Sequence, residues 1–210
     1  DNLFETTNLP KCVNYKDPKR LQALNSTADS SLLWHNIKTY NGEGIVAKGS
    51  TSKYTEGVRT KSWLKIKNWR YVNVIVTKFE QSNGFFNGAI YHEDILIEVV
   101  TFKHGLKDEE SKALINMFKM HGTLLRGDLW ELPPSICVAV ACIDFDGSKL
   151  REPRFHSFRL DVDPLDCNWR QMQRQLNPVP EHVMVTHPDK PIFLENSYTK
   201  DDYLLYLQKI

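Results

Sequence analysis

From residue 71 onward the chain alternates short apolar runs with turn signals, and the runs predict three strands, a helix and two further strands. Residues 71–79 are rich in β-branched and aromatic side chains, as are 85–91 and 95–102, which is the composition of strands. Asn83-Gly84 and His92-Glu93-Asp94 supply the turns between them. Residues 107–122 change period: Leu114, Met117, Phe118 and His121 fall on one stripe at helical spacing, and Met117 and Phe118 read as core. Asp108 is the expected cap. Glu109 and Glu110 suit the positive end of the helix, Lys119 the negative end, and Gly122 the stop. Residues 136–145 predict a long apolar strand turned at Asp146-Gly147, and 150–160 predict the last strand.

Strand, strand, strand, helix, strand, strand is the order of an OB-fold, a five-stranded Greek-key barrel with a helix between its third and fourth strands. Such barrels bind many things, so the fold alone does not decide function. The flanks read differently. Residues 1–30 are polar and irregular, with Pro10 and Pro18. Ser30 or Ser31 is the expected cap of a short helix carrying Leu32, Leu33 and Ile37, ended by Asn41-Gly42. Ile45-Val46-Ala47 predicts a buried strand, and 49–61 a polar loop. Leu64 to Lys67 alternates apolar and charged, the pattern of a strand with one face inward and one wet. After Asp161 the prolines Pro164, Pro178, Pro180 and Pro188 punctuate a polar stretch without a period. Residues 199–208 then predict a helix capped by Thr199, with Tyr203, Leu204 and Leu207 on one side. The expected class is α+β to all-β, divided into segments 1–69, 70–160 and 161–210.

Charge changes this picture through its distribution, not its sum of +1. Lys48, Lys53, Arg59, Lys61, Lys65, Lys67 and Arg70 lie within one stretch that only Glu56 opposes. Such a stretch marks an anion site, with a solvated basic face as the competing reading. Cys12, Cys137, Cys142 and Cys167 show no C-x2-C spacing, which argues against a zinc site. Cys137 and Cys142 stand at odd spacing and would face opposite sides of a strand; all four read as free thiols of a reducing compartment. There is no secretory signal and no apolar run near the ~20 residues that cross a bilayer. The sequence starts at Asp1 and its last helix runs to the end, which reads as a piece of a longer polypeptide.

Three motifs carry candidate chemistry. Glu43-Gly44-Ile45-Val46-Ala47-Lys48 sets a carboxylate and an ammonium at the two ends of a strand, an arrangement suited to a metal ion against phosphates. In Lys65-Ile66-Lys67, preceded by Trp63, alternation puts both ammonium groups on one face, roughly 6.6 Å apart along the strand. In Arg151-Glu152-Pro153-Arg154-Phe155 the proline limits strand pairing, and the arginines suit polyphosphate. Each alone also fits a plain strand end or wet face. Together, in this order, they resemble motifs four, five and six of the ATP-dependent DNA ligases. The resemblance extends to bacterial ligase D, the non-homologous end-joining enzyme, because Val185 to Phe193 and Thr199-Lys200 look like the opening of its primase-like polymerase domain.

The resemblance implies that 1–69 is the C-terminal remnant of a nucleotidyltransferase (adenylation) domain, 70–160 the OB-fold domain, and 161–210 a linker and the start of the polymerase domain. It implies ATP as AMP donor with Mg²⁺ or Mn²⁺, nicked or broken double-stranded DNA as substrate, Ku protein as a possible partner, and a bacterial cytoplasmic, nucleoid-associated location. Glu43 would hold the metal. Lys65 and Lys67 would contact the α-phosphate, Lys48 and Arg59 would line the same pocket, and Arg151 would orient pyrophosphate. One departure stands out: the family's K-x-D-G nucleophile motif does not occur in these 210 residues. A polypeptide with this sequence is therefore expected not to form a lysyl-adenylate. The alternatives are a non-catalytic OB module that binds nucleic acid, and another nucleotidyltransferase of the RNA-ligase or capping type.

Overall fold

The computed structural model describes residues 26–179, 183–193 and 198–207. The expectations for residues 1–25, Pro180 and residue 208 lie outside these. The chain separates into two units, Asp1–Asn68 and Trp69–Ile210.

In the first unit, helix α1 (Ser30–Thr39) is capped by Asp29, not by Ser30 or Ser31: the Asp29 carboxylate accepts from the Leu32 amide at 2.9 Å. Asn41, at φ 52°, turns the chain out of the helix, as the Asn-Gly signal predicts. Strands β1 (Gly44–Lys48) and β2 (Trp63–Lys67) then pair antiparallel in a two-stranded ribbon. The buried strand and the inward face expected here are absent. Val46 is 47% exposed and Leu64 58% exposed. Among the described residues α1 packs on the ribbon and the intervening loop covers Trp63, and two strands with so little cover cannot enclose a side chain.

The second unit is built on a curled antiparallel sheet. Its main path runs β11 (Arg154–Phe158), β8 (Cys137–Cys142), β3 (Arg70–Glu80), β4 (Phe85–His92), β5 (Ile95–Phe102). β3 bends, because β8 pairs with its first half (Arg70↔Cys142 to Ile75↔Cys137) and β7 (Leu129–Glu131) with its second (Lys78↔Glu131 to Glu80↔Leu129). The curl brings the two path edges together just beyond β5, where the Phe155 amide donates to the His104 carbonyl at 2.8 Å. Gly105 permits this approach. It sits at φ +97°, and a Cβ there would lie 2.2 Å from the Phe155 carbonyl oxygen.

The curled sheet and helix α2 (Asp108–His121) enclose one core, in which Val72, Val74, Val76, Phe86, Phe102 and Phe118 are fully buried. The cap of α2 lies one residue earlier than predicted. Lys107, not Asp108, is the cap, and its amide donates to the Glu110 carboxylate at 2.7 Å. Of the predicted stripe, Leu114 and Phe118 are core, whereas Met117 is 37% exposed and His121 is exposed. Gly122 is needed for room rather than for a left-handed turn: its backbone is extended, and a Cβ would meet the Phe118 carbonyl at 2.5 Å.

The long strands predicted near the end are both broken. β8 stops at Cys142, and β9 (Asp144–Phe145) pairs separately with β10 (Leu150–Arg151). β10 and β11 are split at Glu152-Pro153, with Glu152 at φ 50°. Also not expected were strand β6 (Thr123–Arg126) with its partner β7, a 3-10 turn (Pro164–Asp166), and helix α3 (Trp169–Leu176), whose Met172 and Leu176 enter the core. Strand β12 (Pro191–Phe193) pairs with β13 (Tyr198–Thr199), and α4 (Lys200–Leu207) follows. Thr199 caps α4 as predicted, exchanging hydrogen bonds with Asp202 at 2.8 and 3.3 Å. Its buried residues are Asp201 and Leu205, not Tyr203 and Leu207.

Cys137 and Cys142 do face opposite sides of β8. Cys142 joins the main core, and Cys137 meets Cys167 in a smaller cluster with Ile75, the two sulfurs 3.6 Å apart. All three are free and buried. Burial pushes the Cys142 thiol up to about 12, and contact with Cys137 together with burial raises Cys167. Contact with Cys167 lowers Cys137, but burial keeps reagents from it. With a disulfide reagent at pH 8, these three thiols are expected to react no faster than the second unit opens. Labelling any of them at the rate of a free peptide thiol would contradict that packing.

Candidate functional site

The ribbon of the first unit decides which charged side chains share a surface. Its register sets Lys67 opposite Gly44, Lys65 opposite Val46 and Trp63 opposite Lys48. Directly opposed residues lie on the same face and alternate residues return to it. Lys48, Trp63, Lys65 and Lys67 therefore share one face, and Ile45, Ala47, Leu64 and Ile66 the other. The Lys48 ammonium sits 4.2 Å from the centre of the Trp63 ring, a cation–π contact.

Glu43 stands at the head of this ribbon. Its carbonyl accepts from the Asn68 amide at 2.9 Å, and the Asn68 side chain donates to the Gly42 carbonyl at 3.0 Å, so the end of the ribbon is laced shut at Glu43. The glycine after it is required by the strands themselves. Gly44 has φ +143°, and a Cβ there would lie 2.2 Å from the Ile66 carbonyl oxygen. Close approach here is to β2 and not, as the motif alone allows, to a ligand.

The loop between the strands folds back on Trp63. The indole N–H donates to the Ser52 hydroxyl at 2.9 Å, and that hydroxyl donates to the Gly49 carbonyl at 2.6 Å. Tyr54 leans on the indole with ring centres 6.0 Å apart. Between loop and strand lies an open depression of about 380 Å³ lined by Lys53, Tyr54, Val58, Arg59, Lys61 and Trp63 among others. Arg59 thus belongs to this depression, with Trp63 as the side chain common to it and the lysine face.

Arg70, counted in the basic stretch, does not belong with these cations. It begins β3 in the second unit, is buried, and donates to the Ile143 carbonyl. Arg151 is also in the second unit, on β10 opposite Asp144, with 3.9 Å between guanidinium and carboxylate. Arg154 lies over the Trp69 ring at 5.9 Å. A more ordered arginine went unnoticed in the sequence. Arg159 forks onto Asp161 (2.9 and 2.8 Å) and also donates to the Asn73 side chain at 3.2 Å. The fork holds the Asp161 carboxyl at about 2, well below the usual carboxylate range. The R-x-D spacing was the available signal. Among the described residues no three His, Cys, Asp or Glu side chains converge as a metal cage, and no helix is long and apolar enough to cross a membrane.

No protein-family model matches the chain. Individual relatives do. The bifunctional non-homologous end joining protein LigD of Bacillus subtilis is 32% identical over 208 residues, covering 99% of this chain and 34% of that protein. A DNA ligase of Methanosphaerula palustris is 25% identical over 186 residues, covering 78% of this chain and 34% of its own length. Among solved structures, the ligase domain of M. tuberculosis LigD is matched at 20% identity and a TM-score of 0.44, over 60% of this chain and 47% of that one, a likeness too slight to argue from. By sequence, then, the chain is similar to proteins named DNA ligase, and along nearly its whole length to a bifunctional non-homologous end joining LigD protein, of which it spans 34%.

Proposed function

We propose that this chain serves in an ATP-dependent DNA ligase of the LigD kind, contributing the end of the adenylation domain (1–69), an OB-fold barrel domain (70–160, with α3 packed on it), and a linker into the start of a polymerase-like domain. The single observation that carries the reading is the ribbon face on which Lys48, Lys65 and Lys67 stand together, with Glu43 at its head. The barrel assignment draws on the strand path β3-β4-β5 on one side and β3-β8-β11 on the other, with the Phe155–His104 bond joining the ends.

Nick sealing is a series of attacks at phosphorus: a lysine takes AMP from ATP, the AMP passes to the DNA 5′-phosphate, and the 3′-hydroxyl displaces it. Each step needs charge neutralisation and in-line positioning more than proton transfer. On the ribbon, Lys65 and Lys67 would grip the α-phosphate and stabilise the charge that develops on it. Lys48 and Arg59 would hold neighbouring phosphates, and Arg151 would orient the pyrophosphate. Glu43 fits a divalent ion of the kind held by one carboxylate and by substrate phosphates, as Mg²⁺ or Mn²⁺ often is. That ion, when bound, would neutralise phosphate charge. Nicked or broken duplex DNA is the substrate, Ku protein a partner, and the bacterial cytoplasm, at the nucleoid, the location of this reading.

Two experiments test it. Incubated with radiolabelled ATP and Mg²⁺, the 210-residue polypeptide is expected to give no acid-stable labelled band, because no K-x-D-G lysine is present. In a chimera where it replaces the matching third of the Bacillus subtilis protein, labelling and nick sealing are expected to return. A chimera that unfolds cooperatively and self-adenylates, yet never seals a nick, would refute the assignment; so would a labelled band on the polypeptide alone.

A further inference from the structure

The depression beside Trp63 has a composition that phosphate neutralisation alone does not explain. Tyr54 is 75% exposed, yet it is held against Trp63 on a loop pinned by the Trp63–Ser52–Gly49 hydrogen bonds. A large aromatic ring held in place but left in water contributes little to stability, whereas a flat apolar face at that site can take up another ring. Lys53, Arg59 and Lys61 surround it, and no acidic residue lines the cavity. Its volume, about 380 Å³, is at the small end of ligand sites.

Aromatic faces flanked by cations are how proteins hold single-stranded nucleic acid: bases stack, and the cations follow the phosphates. The cationic track does not end at the cavity. It continues through Lys48, Lys65 and Lys67 on the ribbon face that Trp63 shares, across roughly 13 Å of strand at ~3.3 Å per residue. That length spans more than one phosphate, so the track can follow a strand beyond the reacting phosphate.

We propose that Tyr54, with Lys53 and Lys61, forms a subsite for an unpaired DNA base and its flanking phosphates, placed next to the ribbon's phosphate-gripping lysines. This deepens the ligase reading and rests on it: the subsite would seat a frayed or unpaired nucleotide at a strand end while Lys65 and Lys67 face the reacting phosphate.

The test uses the 210-residue chain and two fluorescein-labelled probes, an oligo-dT single strand and a blunt duplex, titrated at several salt concentrations. Tyr54→Ala is expected to weaken single-strand binding roughly tenfold, the loss of one stacked base, while Tyr54→Phe leaves it unchanged and duplex binding shifts little. Lys53→Ala with Lys61→Ala is expected to flatten the single-strand salt slope by about 1.4, two phosphates at ~0.7 each. If the parent binds both probes and Tyr54→Ala stays within twofold of it, the subsite is overturned while the ligase reading stands. Equal losses on the two probes, or a loss confined to ATP binding, overturn it too. A parent that binds neither probe at low salt removes the DNA-binding premise of the ligase reading along with the subsite.

Discussion

Phe118→Ala is expected to destabilise the second unit by about 3–5 kcal/mol, the cost of emptying a fully enclosed phenylalanine site. Phe118, with Leu114, seats α2 on the curled sheet. It is fully buried, and its ring lies 5.8 Å from Phe79 and 6.1 Å from Phe86, which themselves stack at 4.8 Å. Alanine would remove both the buried area and the aromatic contacts, and the hydrogen-bonded sheet packed on the helix can relax only partly to fill the gap. Met117, its neighbour, supplies the contrast. It is partly exposed, so Met117→Ala is expected to cost under about 1 kcal/mol. The two units need not unfold together, so hydrogen exchange of β3 amides such as those of Val74 and Val76 is the measurement, with urea unfolding beside it. A Phe118→Ala cost below that of Met117→Ala would mean that α2 is not seated as described.

The same pair of residues shows what a sequence can and cannot disclose. The helical stripe named both as core, because period fixes which residues share a side but not where that side meets solvent. The strands over 70–102 were legible because β-branched and aromatic residues fall between clear turn signals, and there each strand has a neighbour to bury it. β6 was not: its two leucines, Leu124 and Leu125, are adjacent instead of alternating, so no strand period marks it, and only the Arg126-Gly127-Asp128 turn hints at a hairpin. α3 did carry a signal. Trp169, Met172 and Leu176 stand at helical spacing behind an Asn168 cap whose side chain accepts from the Gln171 amide at 3.0 Å, but arginine and glutamine fill the rest and mask it. The break at Glu152 was half legible, since Pro153 forecast lost pairing but nothing forecast a left-handed glutamate.

For the candidate site the division is different. That Lys65 and Lys67 share a face follows from alternation alone. That Trp63 joins them follows from the same alternation, whereas the place of Lys48 depends on the pairing register, which letters cannot show. Arg70 illustrates the opposite failure. It reads as one more cation in the run, yet its guanidinium is spent on a backbone carbonyl within the second unit. Lys53 showed only as one cation of the basic stretch and Tyr54 not at all; the fold of their loop onto Trp63 brings the two together.

The largest functional effect is expected from the lysine pair. In the chimera with the Bacillus subtilis protein, Lys65→Ala with Lys67→Ala is expected to lower the rate of nick sealing by more than about 100-fold, the scale of losing one preorganised donor to transition-state charge. Stability should move little: Lys65 is exposed, and Lys67, half-buried at the end of β2, adds a cost of about 1 kcal/mol, the ordinary size for one substitution. That separation makes the result interpretable: an unfolding temperature near the parent's, with the chemistry lost. Lys→Arg at both positions keeps the charge but replaces a compact ammonium with a planar fork, so it should recover part of the rate and not all. Measuring protein adenylation, transfer to DNA and sealing one by one locates the loss, and the α-phosphate role requires a deficit in every step where AMP moves. Sealing within threefold of the parent, in a double variant that folds normally, would show that these ammonium groups face solvent and not a reacting phosphate.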